Sequence, residues 1–291
     1  MTAGDPDENR APRIAVVVMS YGLRPSLASA VRSVQDQDEP VEIVVVHSGE
    51  GDVADYFRQA AIDVRVAHSS ARLLPGATRN AGIAATRAPV IAFLADDCLA
   101  EPGWVRERLQ AHDAGARAVA SALLCHKPNN PCALAAHLSL YVRRMPRAAP
   151  DVALTYGVSY AREVFETHGL FREDMESGED TEFNKRLGRA SKPLWCPNVR
   201  TVHIGADTLS GYISGQFRRG RRMADAWSTL GAHDKRSVAR DAIARTSLIV
   251  REGLQVVDPE HRASAMLAVP LIACGNLAYA LGAWTWRERA P

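Results

Sequence analysis

The strongest constraint on this chain lies in three short runs dominated by apolar, largely β-branched residues: Ile14–Met19 (IAVVVM), Val41–Val46 (VEIVVV) and Pro89–Leu94 (PVIAFL). Runs of this kind make strands buried on both faces. Helical patterns stand between them. After Ser26, which can cap a helix, Leu27, Ala30, Val31 and Val34 recur at helical spacing. Val53–Ala61 and Gly76–Thr86 read as further helices, with a short strand at Val64–Ala67. Glu101-Pro102-Gly103-Trp104 opens another helix, with Pro in its first turn. Strands that alternate with helices build βαβ units and a mostly parallel sheet, because parallel neighbours need a crossover. Such sheets bind ligands at the carboxyl ends of their strands. Three polar clusters fall there: Ser20-Tyr21, His47–Asp52 and Asp96-Asp97.

The second half is less regular. Val119–Leu124 reads as a strand, 128–131 and 143–150 as loops, and Ser177–Asp180 as a turn feeding a helix over Thr181–Leu187. A short strand over Val199–Ile204 carries His203. From about Ser210 the pattern is helical: Gly211–Leu230, Arg236–Val257 and Ala263–Trp286. At 47% apolar and 23% charged residues, the 291-residue chain is globular rather than disordered. Lys+Arg 35 against Asp+Glu 33 leaves +2, which gives no global reason to expect nucleic acid. Residues 1–12 are polar and lack an apolar core, so they read as a loose tail rather than a signal peptide. The five cysteines form no C-x-x-C, which suits a reduced, cytoplasmic setting.

Several side chains carry chemistry. Two adjacent carboxylates at a strand end, Asp96-Asp97, suit a hard cation such as Mg²⁺ or Mn²⁺ shared with substrate phosphates; the plain alternative is a turn or helix cap. Glu179-Asp180 follows Gly178 near a helix start, where an Asp can act as general base or simply favour the helix N-terminus. His203 can ligate a metal as a neutral imidazole or serve as an ordinary hydrogen-bonded histidine. Arg79, followed by Asn80, can hold a diphosphate or lie on a helix surface. Arg218-Arg219-Gly220-Arg221-Arg222 can meet phosphates of a substrate, a lipid or nucleic acid; without interleaved aromatics, nucleic acid is the weakest of these.

Taken in order, these segments resemble glycosyltransferase family 2. IAVVVMSYG resembles the family's opening strand and nucleotide-contacting turn, and LASAVRSVQDQ the helix after it. VEIVVVHSGEGD resembles the second strand with its base-binding turn. GATRNAGIAATRAPVIAFLADDCLAEPGWV resembles the stretch from the Arg-Asn helix through the DXD metal motif. HGLFRED and ESGEDTEFNKRL resemble the acceptor-side loop and the helix with the catalytic base, and VRTVHIG the late strand with a metal-binding His. The resemblance spans about residues 13–205. It implies an α/β fold of the GT-A type, a Rossmann-like, mostly parallel sheet flanked by helices, over 13–209, with a helical extension over 210–291. It further implies an inverting glycosyltransferase that moves a sugar from a nucleoside diphosphate sugar to an acceptor hydroxyl, in polysaccharide or glycoconjugate biosynthesis.

By position, Asp180 is implied as the base beside Glu179, Asp97 and His203 as ligands of Mg²⁺ or Mn²⁺, and Asp96 as a ribose or metal-site contact. Ser20, Tyr21 and His47 are implied to line the nucleotide pocket, with Arg79 and Asn80 near the ribose or diphosphate. Three departures stand out: Ala95 in place of the first DXD carboxylate, His47 where an Asp pairs the base, and Gly22 for the usual Asn. The first two leave a non-catalytic sugar-nucleotide or glycan-binding relative as the alternative. A sugar-nucleotide pyrophosphorylase is disfavoured, because the turn after the first strand lacks a Gly-rich phosphate loop. The 24 uncharged residues Ala263–Trp286, bracketed by Arg262 and Arg287, are long enough to span a bilayer but contain Pro270, Gly275, Asn276 and Gly282. They read as a membrane-associated hairpin, as a packed helix or as a dimer interface. The expectation is association with the inner face of the cell membrane and a glycan or lipid-linked acceptor.

Overall fold

The structure is a computed structural model and describes residues 12–151, 153, 159–229 and 235–286, without side chains at 226–229, 235–241 and 243. The expected tail therefore lies, but for residue 12, outside the described residues, as do Leu230 and Arg287.

The three apolar runs form β1 (Ile14–Tyr21), β2 (Val41–Ser48) and β4 (Val90–Ala95), with β3 (Arg65–Ser69) beside β2. Ile14 through Val18 are completely buried. Between the strands lie α1 (Ser26–Gln35), α2 (Val53–Gln59) and α3 (Pro75–Ala85). Ser26 is the first residue of α1 and does not cap it; no side chain does. At α2 the Asp52 carboxylate accepts the Asp55 N–H at 2.8 Å. β5 (Cys98–Ala100) follows Asp96-Asp97 directly. Gly103, at φ +81°, then turns the chain into α4 (Trp104–Asp113), so Pro102 precedes that helix instead of opening it.

After α4 come β6 (Ala118–Cys125), α5 (Pro131–Tyr141), β7 (Ser159–Ala161), α6 (Arg162–His168), α7 (Glu179–Arg186) and β8 (Leu194–His203). The loop expected at 128–131 ends as a helix start, with the Asn130 side chain capping α5. All eight described strands form one sheet in the order β3-β2-β1-β4-β7-β6-β8-β5. The half from β3 to β4 is parallel, as expected. β7 runs antiparallel to β4 and β6, and β5 antiparallel to β8, so the sheet as a whole is mixed. Three-residue strands reached from loops need no crossover helix, and the alternation rule does not govern them.

The C-terminal helices are α8 (Leu209–Thr229), α9 (Lys235–Val256) and α10 (Arg262–Thr285). α10 runs unbroken past Pro270, which lies on its exposed side. Ala265, Ala268 and Ile272 of α10 join Leu134 and Leu138 of α5, Tyr212 of α8 and Ile249 of α9 in one core cluster. This packing matches one of the three expectations for the uncharged stretch. The opposite face of α10 leaves Met266, Leu267, Leu277, Leu281 and Trp284 more than half exposed.

Candidate active site

β1 and β4 are adjacent and parallel, so their carboxyl ends open side by side into a cleft of about 480 Å³. Ser20, Tyr21, Asp96 and Asp97 line it from the strands, Arg79 from α3, and Glu179 and Asp180 from the first turn of α7. The polar strand ends and the second carboxylate pair, about 80 residues apart in sequence, thus meet in one place.

Asp96 is 5% exposed and its Oδ2 has no partner. Burial, aided by the Asp97 charge, pushes its carboxyl above the ordinary range against the pull of Arg24. Arg24 reaches both carboxylates, at 3.2 Å from Asp97 and 3.5 Å from Asp96. His203 comes alongside through the sheet: β5 and β8 pair Cys98 with His203, and the Ile204 N–H donates to the Asp97 carbonyl at 2.8 Å. Its ring meets Tyr141 edge-on at 4.9 Å, and its buried Nδ1 is unbonded. Burial holds the imidazole below its ordinary pKa despite Asp97, so the ring is neutral and able to ligate. The unpartnered Asp96 oxygen and His203 nitrogen lie on residues next to Asp97 in chain and sheet and are donors of the kind a divalent cation takes, although His203 is not among the residues lining the cleft. Among the described residues no three His, Cys, Asp or Glu side chains converge, so an ion held here would need further ligands from substrate and water.

Asp180 is half-buried, and its Oδ1 accepts from the Thr181 N–H at 2.7 Å. The preceding Gly178 adopts φ +87°, a left-handed turn that sends the chain into α7. Glu179 is buried and ion-paired to Arg79. Burial works against the Arg79 charge, but Glu179 and then Asp180 more than offset it and hold the guanidinium above its ordinary value. Phe93 and Phe171 pack against the same guanidinium, at 5.6 and 5.3 Å. Glu179 is therefore committed to Arg79, which leaves Asp180 as the uncommitted carboxylate of the pair.

Two expected contacts face elsewhere. Asn80 does not line the cleft: its amide donates to the Phe171 carbonyl at 2.9 Å and to Glu173 at 2.8 Å, and accepts from the Phe171 N–H at 3.1 Å. It ties the 171–178 strap to α3. His47 is fully buried behind Ser20, 3.3 Å from its hydroxyl, and stacks on His68 at 5.3 Å. Burial, then the neighbouring His68, lowers its pKa and keeps it neutral. Arg24, Tyr141 and Glu176 also line the cleft, and of the Arg-rich run Arg222 does. Arg24 had a visible signal as a cation three residues beyond the first strand; Tyr141 and Glu176 had none.

Fold and site together define a GT-A glycosyltransferase. A model of glycosyl transferase family 2 matches residues 15–162, about half of the chain, which belongs to that family. Glycosyltransferase AglE of Haloferax volcanii is 24% identical over 227 residues, 74% of each chain. The pre-mycofactocin glycosyltransferase of Mycobacterium tuberculosis is 29% identical over 204 residues, 64% of this chain and 42% of the relative. Among solved structures, the mannosyltransferase PcManGT from Pyrobaculum calidifontis, in complex with GDP-Man and Mn²⁺, superimposes with a TM-score of 0.60 at 17% identity, over 96% of this chain and 89% of that one. S. aureus TarS 1–349 in complex with UDP-GlcNAc gives 0.51 at 13% identity, over 86% and 69%.

Proposed function

We propose that this glycosyltransferase moves a sugar from a nucleoside diphosphate sugar to an acceptor hydroxyl with inversion, in polysaccharide or glycoconjugate biosynthesis. The observation that carries this reading is the convergence of Asp96-Asp97 and Asp180 on one cleft. GDP-Man and UDP-GlcNAc in the two related folds support a nucleotide-sugar donor. Ser20 and Tyr21 hold the nucleoside, with His47 fixing Ser20 from behind. Arg222, together with Arg24 once it leaves the carboxylates, meets the diphosphate. Asp180 accepts the acceptor proton as that oxygen attacks the anomeric carbon, and the bond to the diphosphate breaks on the opposite face. Arg79 and Glu179 hold the base in place. Asp97 and His203 would hold a divalent cation, Mg²⁺ or Mn²⁺, which when bound would supply charge stabilisation for the departing diphosphate.

Arg24 spanning the two carboxylates, with Ala95 in place of a third, favours a second reading: a metal-free, non-catalytic sugar-nucleotide-binding relative. Thermal shift with nucleoside diphosphates, with and without Mn²⁺, separates the two, since a ligand bound only by the folded state stabilises it. Asp180→Asn is expected to abolish transfer and keep Mn²⁺-dependent donor binding. Near-normal turnover by that variant would refute the assignment of the base.

The outer face of α10, within 263–286, supports placement at the inner membrane surface with a lipid-linked acceptor. The stripe is apolar, and Arg218 and Arg221 are exposed on the adjacent α8. Flotation with anionic vesicles tests this. A monodisperse dimer that ignores vesicles assigns the face to a second copy instead.

A further inference from the structure

A second, smaller chamber of about 240 Å³ opens from the cleft past Arg79, Tyr141 and Asp180. It runs between β4, β6 and β8 and presents the side chains of Cys98, Ser121 and Thr201. Arg144, in the single 3-10 turn that follows α5, stands on its wall.

The surroundings of Arg144 differ from those of its neighbours. Arg143 forks onto Glu252 with two bonds of 2.7 Å, and Arg147 reaches Asp258 at 3.6 Å. Arg144 turns inward and, among the described residues, makes no ion pair or hydrogen bond; its buried Nε is unpartnered. Of the other charged groups on the chamber wall, Arg79 is paired with Glu179, and Asp180 accepts from the Thr181 N–H without, among the described residues, an ion pair of its own. The chamber thus holds the unpaired Arg144 guanidinium and the Asp180 carboxylate among hydroxyls and apolar side chains. Arg144 is half-buried, and its unpartnered Nε gains a partner when a ligand anion binds. The planar fork of Arg matches a carboxylate in bidentate geometry. The volume is below the range of about 300–1,000 Å³ typical of drug-sized ligands, which suits a single sugar ring.

We propose that Arg144 makes this chamber a subsite for an acidic sugar, its guanidinium pairing with a uronate carboxylate beside the base. The inference rests on the proposed glycosyl transfer, because the chamber is reached through the same cleft. The carboxylate belongs either to the donor sugar or to the acceptor ring, and the test separates these.

The donor arm compares UDP-glucuronate with UDP-glucose, and GDP-mannuronate with GDP-mannose. Binding and acceptor-free hydrolysis are measured with Mn²⁺ for the wild type, Arg144→Met and Arg144→Lys. The acceptor arm compares methyl glucuronide with methyl glucoside as ligands of the protein already holding nucleoside diphosphate and Mn²⁺. In one arm the wild type is expected to favour the acidic member by about tenfold or more. R144M should bring that ratio close to one, R144K should restore part of it, and bare nucleoside diphosphate should bind all three proteins alike. Circular dichroism and thermal unfolding establish that the variants fold. No preference in either arm, or a preference that survives in R144M, overturns the subsite. If bare nucleoside diphosphate fails to bind the wild type, glycosyl transfer itself is overturned, and the subsite with it.

Discussion

Gly76→Ala tests whether the proposed base, Asp180, is positioned by backbone packing. A Cβ built on Gly76 falls 1.8 Å from the Arg172 carbonyl oxygen and 2.8 Å from its carbon. Ordinary contact begins near 3.4 Å, so α3 and the strap must separate by about 1.6 Å at this point. The helix has little room to retreat. Gly82, two turns on, lies so close to β1 that a Cβ there would stand 2.3 Å from Val17. The strap yields instead, and it leads directly to Glu179 and Asp180. Overpacking of this kind costs about 1–3 kcal/mol of stability. A misplacement of about 1 Å at a reacting group costs about 100-fold in rate. Gly76→Ala is therefore expected to lower kcat by about that factor while nucleoside diphosphate affinity changes little, because Ser20 and Tyr21 sit on β1 and Asp96 directly follows β4. Gly215→Ala is the control: it meets open space within α8 and should stabilise by up to about 1 kcal/mol without altering kcat. A G76A enzyme with wild-type kcat and unfolding temperature would refute the argument.

Asn80→Ala removes three hydrogen bonds to the strap and should cost about 1–3 kcal/mol by urea unfolding, with kcat falling and donor affinity held. Arg79→Met leaves Glu179 buried without its cation and should destabilise by about 3–5 kcal/mol, whereas R79M/E179Q should recover most of that; equal losses in the single and double variants would contradict the pairing. Burial lowers the pKa of His112 to about 4 and of His137 to about 3, from 6.5. The unfolded chain therefore binds these protons first, so the stability present above pH 6.5 is lost as the pH falls towards 4 and then 3. Between pH 7 and 5 the two histidines together remove about 3–4 kcal/mol. A denaturation midpoint that does not move over that interval would exclude them as the acid-sensitive groups.

Much of this arrangement is legible in the sequence because period and punctuation report it directly. Both-face burial forces the apolar runs of β1, β2 and β4, and the chain must turn polar where those strands end. Ser20, Tyr21, Asp96 and Asp97 could therefore be assigned to one sheet edge before any contact was known. Interactions that join distant segments through single side chains have no such periodic trace. Nothing local distinguishes an Asn80 that points at a diphosphate from one that grips the Phe171 backbone, 91 residues away. Glu179 and Asp180 are adjacent and chemically alike, and only the partner across the fold, Arg79, separates the ion-paired carboxylate from the one proposed as the base. The antiparallel β7 and β5 escaped the alternation rule because three-residue strands carry too little pattern to read.

The uncharged stretch of α10 shows how one composition can arise from two different demands. Its glycines are contact points rather than weak links. A Cβ at Gly275 would meet the Tyr212 hydroxyl at 2.0 Å, and one at Gly282 the Phe217 carbonyl at 2.1 Å. From the facing helix, a Cβ at Gly220 would meet the Tyr279 carbonyl at 2.0 Å. Helix backbones this close leave no room for charged side chains, so interhelical contact alone accounts for the missing charge on the inner face, with no membrane required. It does not account for the outer face. Met266, Leu267, Pro270, Cys274, Leu277, Leu281 and Trp284 point away from the core, where Lys or Glu would cost nothing in packing. The absence of charge there needs a separate cause, which the proposed membrane surface would supply. Placing one Glu at Leu277 and another at Leu281 should therefore leave the unfolding temperature unchanged and abolish vesicle flotation. A large loss of stability from those two substitutions would show that the outer face, too, belongs to the folded core.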